Sequence, residues 1–314
     1  MENIHKYLEK IAITLKNSIN SSRTSMNEDL LRKSDVTIIQ WITEISAPKY
    51  NLIDNMISIL TDPVTTPATI HNIYYIFLKF VTFVPEISKQ LLSNKQFLQS
   101  LVNYISSIDN DNKELKVSLD SIYLFIKIFS ISIFETYLSE EFLNGLFETL
   151  SIINDERNLE EMVEILINIS SLYIELDDNL FLKIYHYHDN ARLVNEIILR
   201  LINIDDKEKE KLYPILLCTA NIMDYEKCCV FYSSDLEVLI DLLINKLSST
   251  YSDELKFFLL EVLEKVTVYD EYYKDMYKID ELNDLLEGFA TNDDQSENIQ
   301  AKAQTILDNI VNKI

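Results

Sequence analysis

Apolar residues return every three or four positions along nearly the whole chain. Ile4, Leu8, Ile11, Leu15 and Ile19 make one stripe, and Ile38, Trp41, Ile42 and Ile45 make another. That spacing gathers each set on one side of a helix, whereas a half-buried strand would alternate. Thr66 before Pro67 reads as an N-cap with proline in the first helical position, where its missing N–H costs nothing. It opens the run ATIHNIYYIFLKFVTFV, which Pro85 ends before a short helix through Leu92. Further helices are predicted at 95–107, 112–133, 139–153, 157–176, 178–187, 190–204 and 206–223, then at 225–232, 235–248, 252–269, 270–277, 279–289 and 295–312. Asn, Asp and Ser fill connections such as SIDNDN and TNDDQS, because their side chains bond the local backbone and stop helices.

More than a dozen helices joined by short turns predict an all-α, armadillo/HEAT-like helical solenoid, a single repeat domain over residues 1–314. No strict 40-residue period aligns, so helix number and length carry this expectation. A compact all-α enzyme domain is the structural alternative.

Glycine usage narrows the choice of class. The chain holds two glycines, Gly145 and Gly288, too few for the turns of a sheet protein or the phosphate loops of an α/β nucleotide site. With 47% hydrophobic and 25% charged residues it has material for a core and is not a disordered polymer. The most apolar run, SIYLFIKIFSISIF at 121–134, is shorter than a bilayer crossing and contains Lys127, so it reads as a buried helix and no membrane insertion is expected.

Charge bears on partners. A net charge of -23 disfavours nucleic acid and anionic membrane, which both need a positive footprint. A protein with basic patches suits it better. Residues 1–60 balance seven acids with seven bases, whereas Arg157 is the sole base between Lys127 and Lys183 among a dozen acids. Acidic blocks at 135–180 and 253–297 are either solvated faces or a steering field for a basic surface.

Candidate chemistry is sparse. Cys218, Cys228 and Cys229 are too few and too clustered for a disulfide framework, which points to a reducing, cytoplasmic compartment. His186 and His188 with Cys228 and Cys229 lack the paired spacing of a structural zinc site, so neither metal nor cofactor is expected, and Cys218 reads as a small core residue. Adjacent carboxylates such as Glu140 and Glu141 diverge by about 100° on a helix and do not converge as a catalytic pair. A non-enzymatic protein is expected.

One stretch carries a resemblance. FYSSDLEVLIDLL at 231–243, followed by INKLSS and DELKFFLLEVLEKVTVYDEYYKDMYKIDELNDLL, resembles the C-terminal armadillo-repeat region of the WISH/DIP family, activators of the actin-related protein 2/3 complex. The matching positions are Phe231, Tyr232, Ser233, Ser234, Asp235, Leu236, Val238 to Asp241, Tyr269, Tyr277 and Lys278. EILINISSLYIE and LVNEIILRLINIDD match more weakly, with Ile169 to Leu172 and Ile204 departing from the family's polar residues. The resemblance covers about residues 160–290, and the first 150 match only as a helical array. It implies a repeat domain that binds the complex without a preformed filament and shifts it toward the filament-like arrangement, giving linear filaments that can seed branching, at the actin cortex or actin patches.

Within this stretch, Asp235 is expected to cap its own helix, Phe231 and Tyr232 to pack between repeats, and Leu236, Leu239, Ile240, Leu243 and Leu247 to form the buried stripe. Glu237, Asp241 and Asn245 fall on another face; Asp241, Asn245, Lys246, Lys256, Tyr272 and Tyr273 are the candidate partner-binding residues. A generic armadillo/HEAT scaffold holding a peptide or helix of another protein is the alternative function, and self-association is compatible with either.

Overall fold

A computed structural model describes residues 52–107, 119–173, 179–203, 209–225, 231–250, 252–269 and 272–313. The stripes at 4–19 and 38–45, and Cys228 and Cys229, lie outside these residues. The described residues are all-α, with 16 α-helices, two 3-10 turns and no strand. The chain divides into two compact units, Met1–Ile152 and Ile153–Ile314.

In the N-terminal unit the helices are α1 Leu52–Leu60, α2 Pro67–Phe83, α3 Glu86–Ser93, α4 Lys95–Ser106, α5 Leu119–Ile128, α6 Ile131–Phe134 and α7 Glu140–Thr149. Thr66 caps α2 as its position predicts, its hydroxyl accepting from the Thr69 N–H at 3.4 Å. Asn94 caps α4 through the Gln96 and Phe97 amides at 3.0 and 3.1 Å, and Ser139 caps α7 through Phe142 at 3.2 Å. Each such cap contributes about 1 kcal/mol. The helix expected over 112–133 breaks at Phe129 and Ser130, where Ser130 adopts an extended conformation ahead of α6. That break lets Phe125, Phe134 and Phe142 meet edge-on or stacked at 5.1–6.5 Å, all fully buried. Helix α2 packs on α5, and α4 on α7. The second contact needs Gly145, since a Cβ there would sit 2.8 Å from the Ile105 carbonyl carbon and 3.2 Å from Ser106 Cα.

The C-terminal unit holds α8 Glu156–Ser170, α9 Leu180–Tyr187, α10 Ala191–Ile202, α11 Lys209–Asp224, α12 Ser233–Ser249, α13 Asp253–Val268, α14 Tyr272–Asp275, α15 Ile279–Thr291 and α16 Glu297–Lys313. Asp155, Asn179 and Ser252 cap α8, α9 and α13, accepting from Asn158, Leu182 and Leu255 at 2.9, 3.0 and 3.4 Å. The helix predicted to reach 176 ends at Ser170 and tightens into a 3-10 turn, Ser171–Tyr173.

Packing in this unit follows two rows. Helices α10, α12 and α15 lie side by side in one row, and α8, α11, α13 and α16 in the other; the pairs α10–α11, α12–α13 and α15–α16 join them. Each pair touches chiefly the next, which is the geometry of a helical solenoid. The leucines and isoleucines between rows, from Met162 and Leu166 to Ile306 and Ile310, are almost fully excluded from water. One polar pair interrupts them: the Tyr185 hydroxyl donates to Asn195 Oδ1 between α9 and α10, with both residues buried and the phenol pushed well above its ordinary pKa by burial.

Candidate partner-binding surfaces

The resemblance stretch opens α12. Phe231 is buried at 1% exposure and Leu236 at 2%, as their place between helices requires. Tyr232 departs from expectation: it is 57% exposed, occupies the N-cap position, and has the Arg192 guanidinium 5.3 Å from its ring. The helix therefore begins at Ser233, and Asp235 sits inside its first turn, where its carboxylate accepts from the Tyr232 N–H at 3.3 Å. It steadies the helix start from within instead of being the cap, and a carboxylate there also meets the positive end of the helix dipole.

The six candidate contact residues separate by burial. Asn245 is exposed and Asp241 half-exposed one turn before it. Asp241 pairs with Lys278 at 2.9 Å and accepts from the Tyr277 hydroxyl at 3.3 Å; Lys278 also reaches Glu281 at 3.4 Å. The Asp241 carboxylate holds the Lys278 ammonium above its ordinary pKa, while desolvation and then Asp241 raise the Tyr277 phenol. This node ties α12 to the turn before α15, where Met276 and Lys278 both adopt left-handed backbone at φ 48° and 52°.

Lys246, Lys256 and Tyr272 are buried, which corrects their assignment to a contact surface. Lys256 bonds Gln295 Oε1 at 2.9 Å, and its ammonium lies 5.7 Å from the Phe289 ring. The Tyr272 hydroxyl donates to the Tyr277 carbonyl at 3.3 Å, and burial pushes its pKa up to about 12. The neighbouring Tyr273 is half-buried and donates to the Thr267 carbonyl. Of the six, Asp241 and Asn245 share one accessible face.

A surface that the sequence did not single out lies in the N-terminal unit. Leu60, Thr61, Ile70 and Tyr74 line one side of a cleft of about 450 Å³, with Gln96, Gln99, Ser100, Asn103 and Tyr104 on the other. None of these side chains is charged, in a protein where a quarter of residues are. Gln99 Nε2 donates to Asn103 Oδ1 at 2.8 Å, and the Tyr104 hydroxyl bonds His71 Nε2 at 3.0 Å. Desolvation holds His71 below its ordinary pKa. The amides at 96, 99 and 103 follow helical spacing, so the signal existed, but it resembled a solvated face.

Among the described residues, no group of three or more His, Cys, Asp and Glu is placed to hold a metal ion, and no helix is long and apolar enough to cross a membrane.

No family model matches the chain, and no curated protein does. The WISH/DIP resemblance thus rests on the quoted residues alone. Similar solved structures include a designed armadillo repeat protein, 14% identical over 82% of this chain and 98% of that one, at a TM-score of 0.36. Another is a designed armadillo repeat protein in complex with the peptide (KR)4, 16% identical over 82% and 98%, at a TM-score of 0.39. A third is an engineered protein, 15% identical over 83% and 96%, at 0.38.

Proposed function

We propose that this protein is a helical-repeat scaffold that binds an extended segment of another protein, with no chemistry of its own. The uncharged, amide-lined cleft on α4 supports this reading. A side-chain amide offers one donor group and one acceptor, the same complement as a peptide unit. Gln99 and Asn103 are four residues apart, about 6 Å along the helix axis, close to the roughly 6.6 Å that two residues of extended chain advance. Successive amides on the helix can therefore meet every second peptide unit of a strand laid along it, and the neutral lining selects for backbone over charge.

Peptides selected from a random library test this. Gln99→Leu with Asn103→Leu should weaken a selected peptide about thirtyfold, two net hydrogen bonds being worth roughly 1 kcal/mol each. N-methylation of alternate peptide nitrogens should do the same. Selected peptides that bind the double variant as tightly as wild type would remove the cleft from the reading.

A finer partner assignment comes from the resemblance over 160–290: activation of the actin-related protein 2/3 complex, in the cytoplasm, without a preformed filament. In its favour, Asp241 and Asn245 stand one turn apart on an accessible face. Such an activator works by binding the active arrangement more tightly than the inactive one. Actin assembly with purified complex and no filament seeds decides it. No gain in nucleation discards this partner and leaves the scaffold reading standing, while Asp241→Arg with Asn245→Arg should weaken binding to the complex with helical content unchanged.

A further inference from the structure

A second cleft, of about 220 Å³, lies in the C-terminal unit between the beginnings of α13 and α16. Its floor is apolar: Phe257 and Phe258 are half-buried and Ile299 is 1% exposed. Its rim carries the exposed carboxylates Asp253 and Glu254. The Tyr213 hydroxyl, from α11, donates to Glu254 at 3.1 Å, and its ring lies 5.2 Å from that of Phe258. The volume is below the roughly 300 Å³ at which small-molecule pockets begin, so it suits one long side chain.

We propose that this cleft receives a lysine or arginine side chain from a basic segment of a protein partner, its aliphatic stem against the phenylalanines and its charge between the rim carboxylates and the Phe258 ring.

The same helix already holds a lysine in this manner. One to two turns further along α13, Lys302 of α16 lies with its ammonium 5.6 Å from the Phe257 ring and paired with Glu261 and Glu264. Burial alone would lower the Lys302 pKa, but the two carboxylates outweigh it and hold it above its ordinary value. Lys256 over Phe289 and Lys313 over Tyr273, each at 5.7 Å, repeat the pattern at this end of the chain. An aromatic face beside carboxylates is a site for a cation with an apolar stem.

The local charge balance agrees. Two helix N-termini meet here, each equivalent to about half a positive charge. Against them stand Asp253, Glu254 and Glu297 in the first turns, with Lys256 3.8 Å from Asp253. Three negative charges against about two positive ones leave the cleft negative, and it sits in a stretch, 253–297, with 14 acids and four bases. The occupant is therefore cationic, and its approach is accelerated by a field that salt weakens.

Fluorescence anisotropy on the full chain tests the proposal with a labelled ten-residue peptide of alternating alanine and lysine or arginine. Glu254→Gln and Phe258→Leu should each weaken it about fivefold, the scale of one partly desolvated cation contact. Asp284→Asn with Glu287→Gln removes twice the charge from the exposed side of α15 and should change affinity less than twofold. Equal weakening by that control means non-specific attraction to an acidic protein and overturns the site. A peptide with norleucine and citrulline in place of the cations should not bind; retained binding would show an apolar groove without charge selection. Light scattering adds a third outcome: self-association lost in Phe258→Leu would make the occupant a second copy and refute a basic partner. Gln99→Leu with Asn103→Leu should leave this peptide's affinity unchanged, so the two surfaces fail or stand separately.

Discussion

Replacing each of the two glycines by alanine should have opposite effects, although the chemical change is identical. Both lie inside helices, where alanine is favoured over glycine by about 0.5–1 kcal/mol because glycine loses more backbone freedom on folding. At Gly288 nothing lies within 4 Å of the added Cβ, so Gly288→Ala should gain that full amount. At Gly145 the Cβ would stand 2.8 Å from the Ile105 carbonyl carbon, and closer still to its oxygen, where ordinary contacts begin near 3.4 Å. The obstruction is backbone, so no side chain can rotate away, and α4 and α7 must separate. Forced expansion of a packed core costs about 1–3 kcal/mol, leaving Gly145→Ala a net loss of about 1–2 kcal/mol after the helical gain. The two sites fall in different compact units. Hydrogen exchange read by mass spectrometry on peptides covering 95–106, 140–149 and 279–291 therefore reports each locally. Protection across α4 and α7 should fall about 5–30-fold in Gly145→Ala, and protection in α15 should rise about two- to fivefold in Gly288→Ala. Unchanged or greater protection at 95–106 in Gly145→Ala would mean the helices do not cross where the structure puts them.

Two further outcomes follow from charge and burial. Lys302→Met strands Glu261 and Glu264, whose side chains are 30% and 22% exposed; the loss should be about 1–2 kcal/mol, between exposed and buried pairs, and should shrink in 1 M salt, so an unmoved urea midpoint at low salt contradicts it. The Cys218 thiol is 2% exposed, and burial pushes its pKa up from 9.0 to about 11. Its neutral form is favoured in the fold, so this contribution to stability holds below about pH 9 and fades as pH climbs toward 11. In a Cys228→Ser, Cys229→Ser background, iodoacetamide at pH 8 should label Cys218 only as fast as the protein opens; labelling at the speed of an unfolded thiol would rule out the burial.

Local signals in the sequence located most helices. Thr66–Pro67 marks a start because a short polar side chain before an apolar run satisfies amides that no helix can. Ser139, Asp155, Asn179 and Ser252 cap their helices in the same way in the structure, at or within two residues of the starts that apolar spacing predicts. The break at Ser130 has no local signal, since what fixes it is the meeting of Phe125 with Phe134 and with Phe142 of the next helix, whereas the apolar run 121–134 reads as one continuous helix. At the candidate surface, charge misled. Lys246 stands three residues after Leu243 and seven after Leu239, and Lys256 precedes Leu259, Leu260 and Leu263 by three, four and seven. Both therefore share the face of buried leucines, and a helix with neighbours in its own row and in the next is covered over more than half its circumference. Lysine tolerates such a position where its ammonium finds a partner, as Gln295 provides for Lys256. The α4 amides were equally visible, but nothing in a sequence separates an amide row facing water from one bordering a cleft.

The Tyr185–Asn195 pair affects how the helices find their places. Leucine and isoleucine faces are nearly interchangeable, so a helix displaced by one turn, about 5.4 Å, swaps one apolar contact for another at small cost. The phenol and the amide have no such freedom. In a slipped arrangement both would face hydrocarbon with their hydrogen bond broken, at roughly 1–3 kcal/mol for each stranded group. The pair thus penalises the wrong alignments of α9 and α10 more than it strengthens the right one. Among repeated helices of similar composition it acts as an index mark, fixing which stretch of one helix belongs against which stretch of the next.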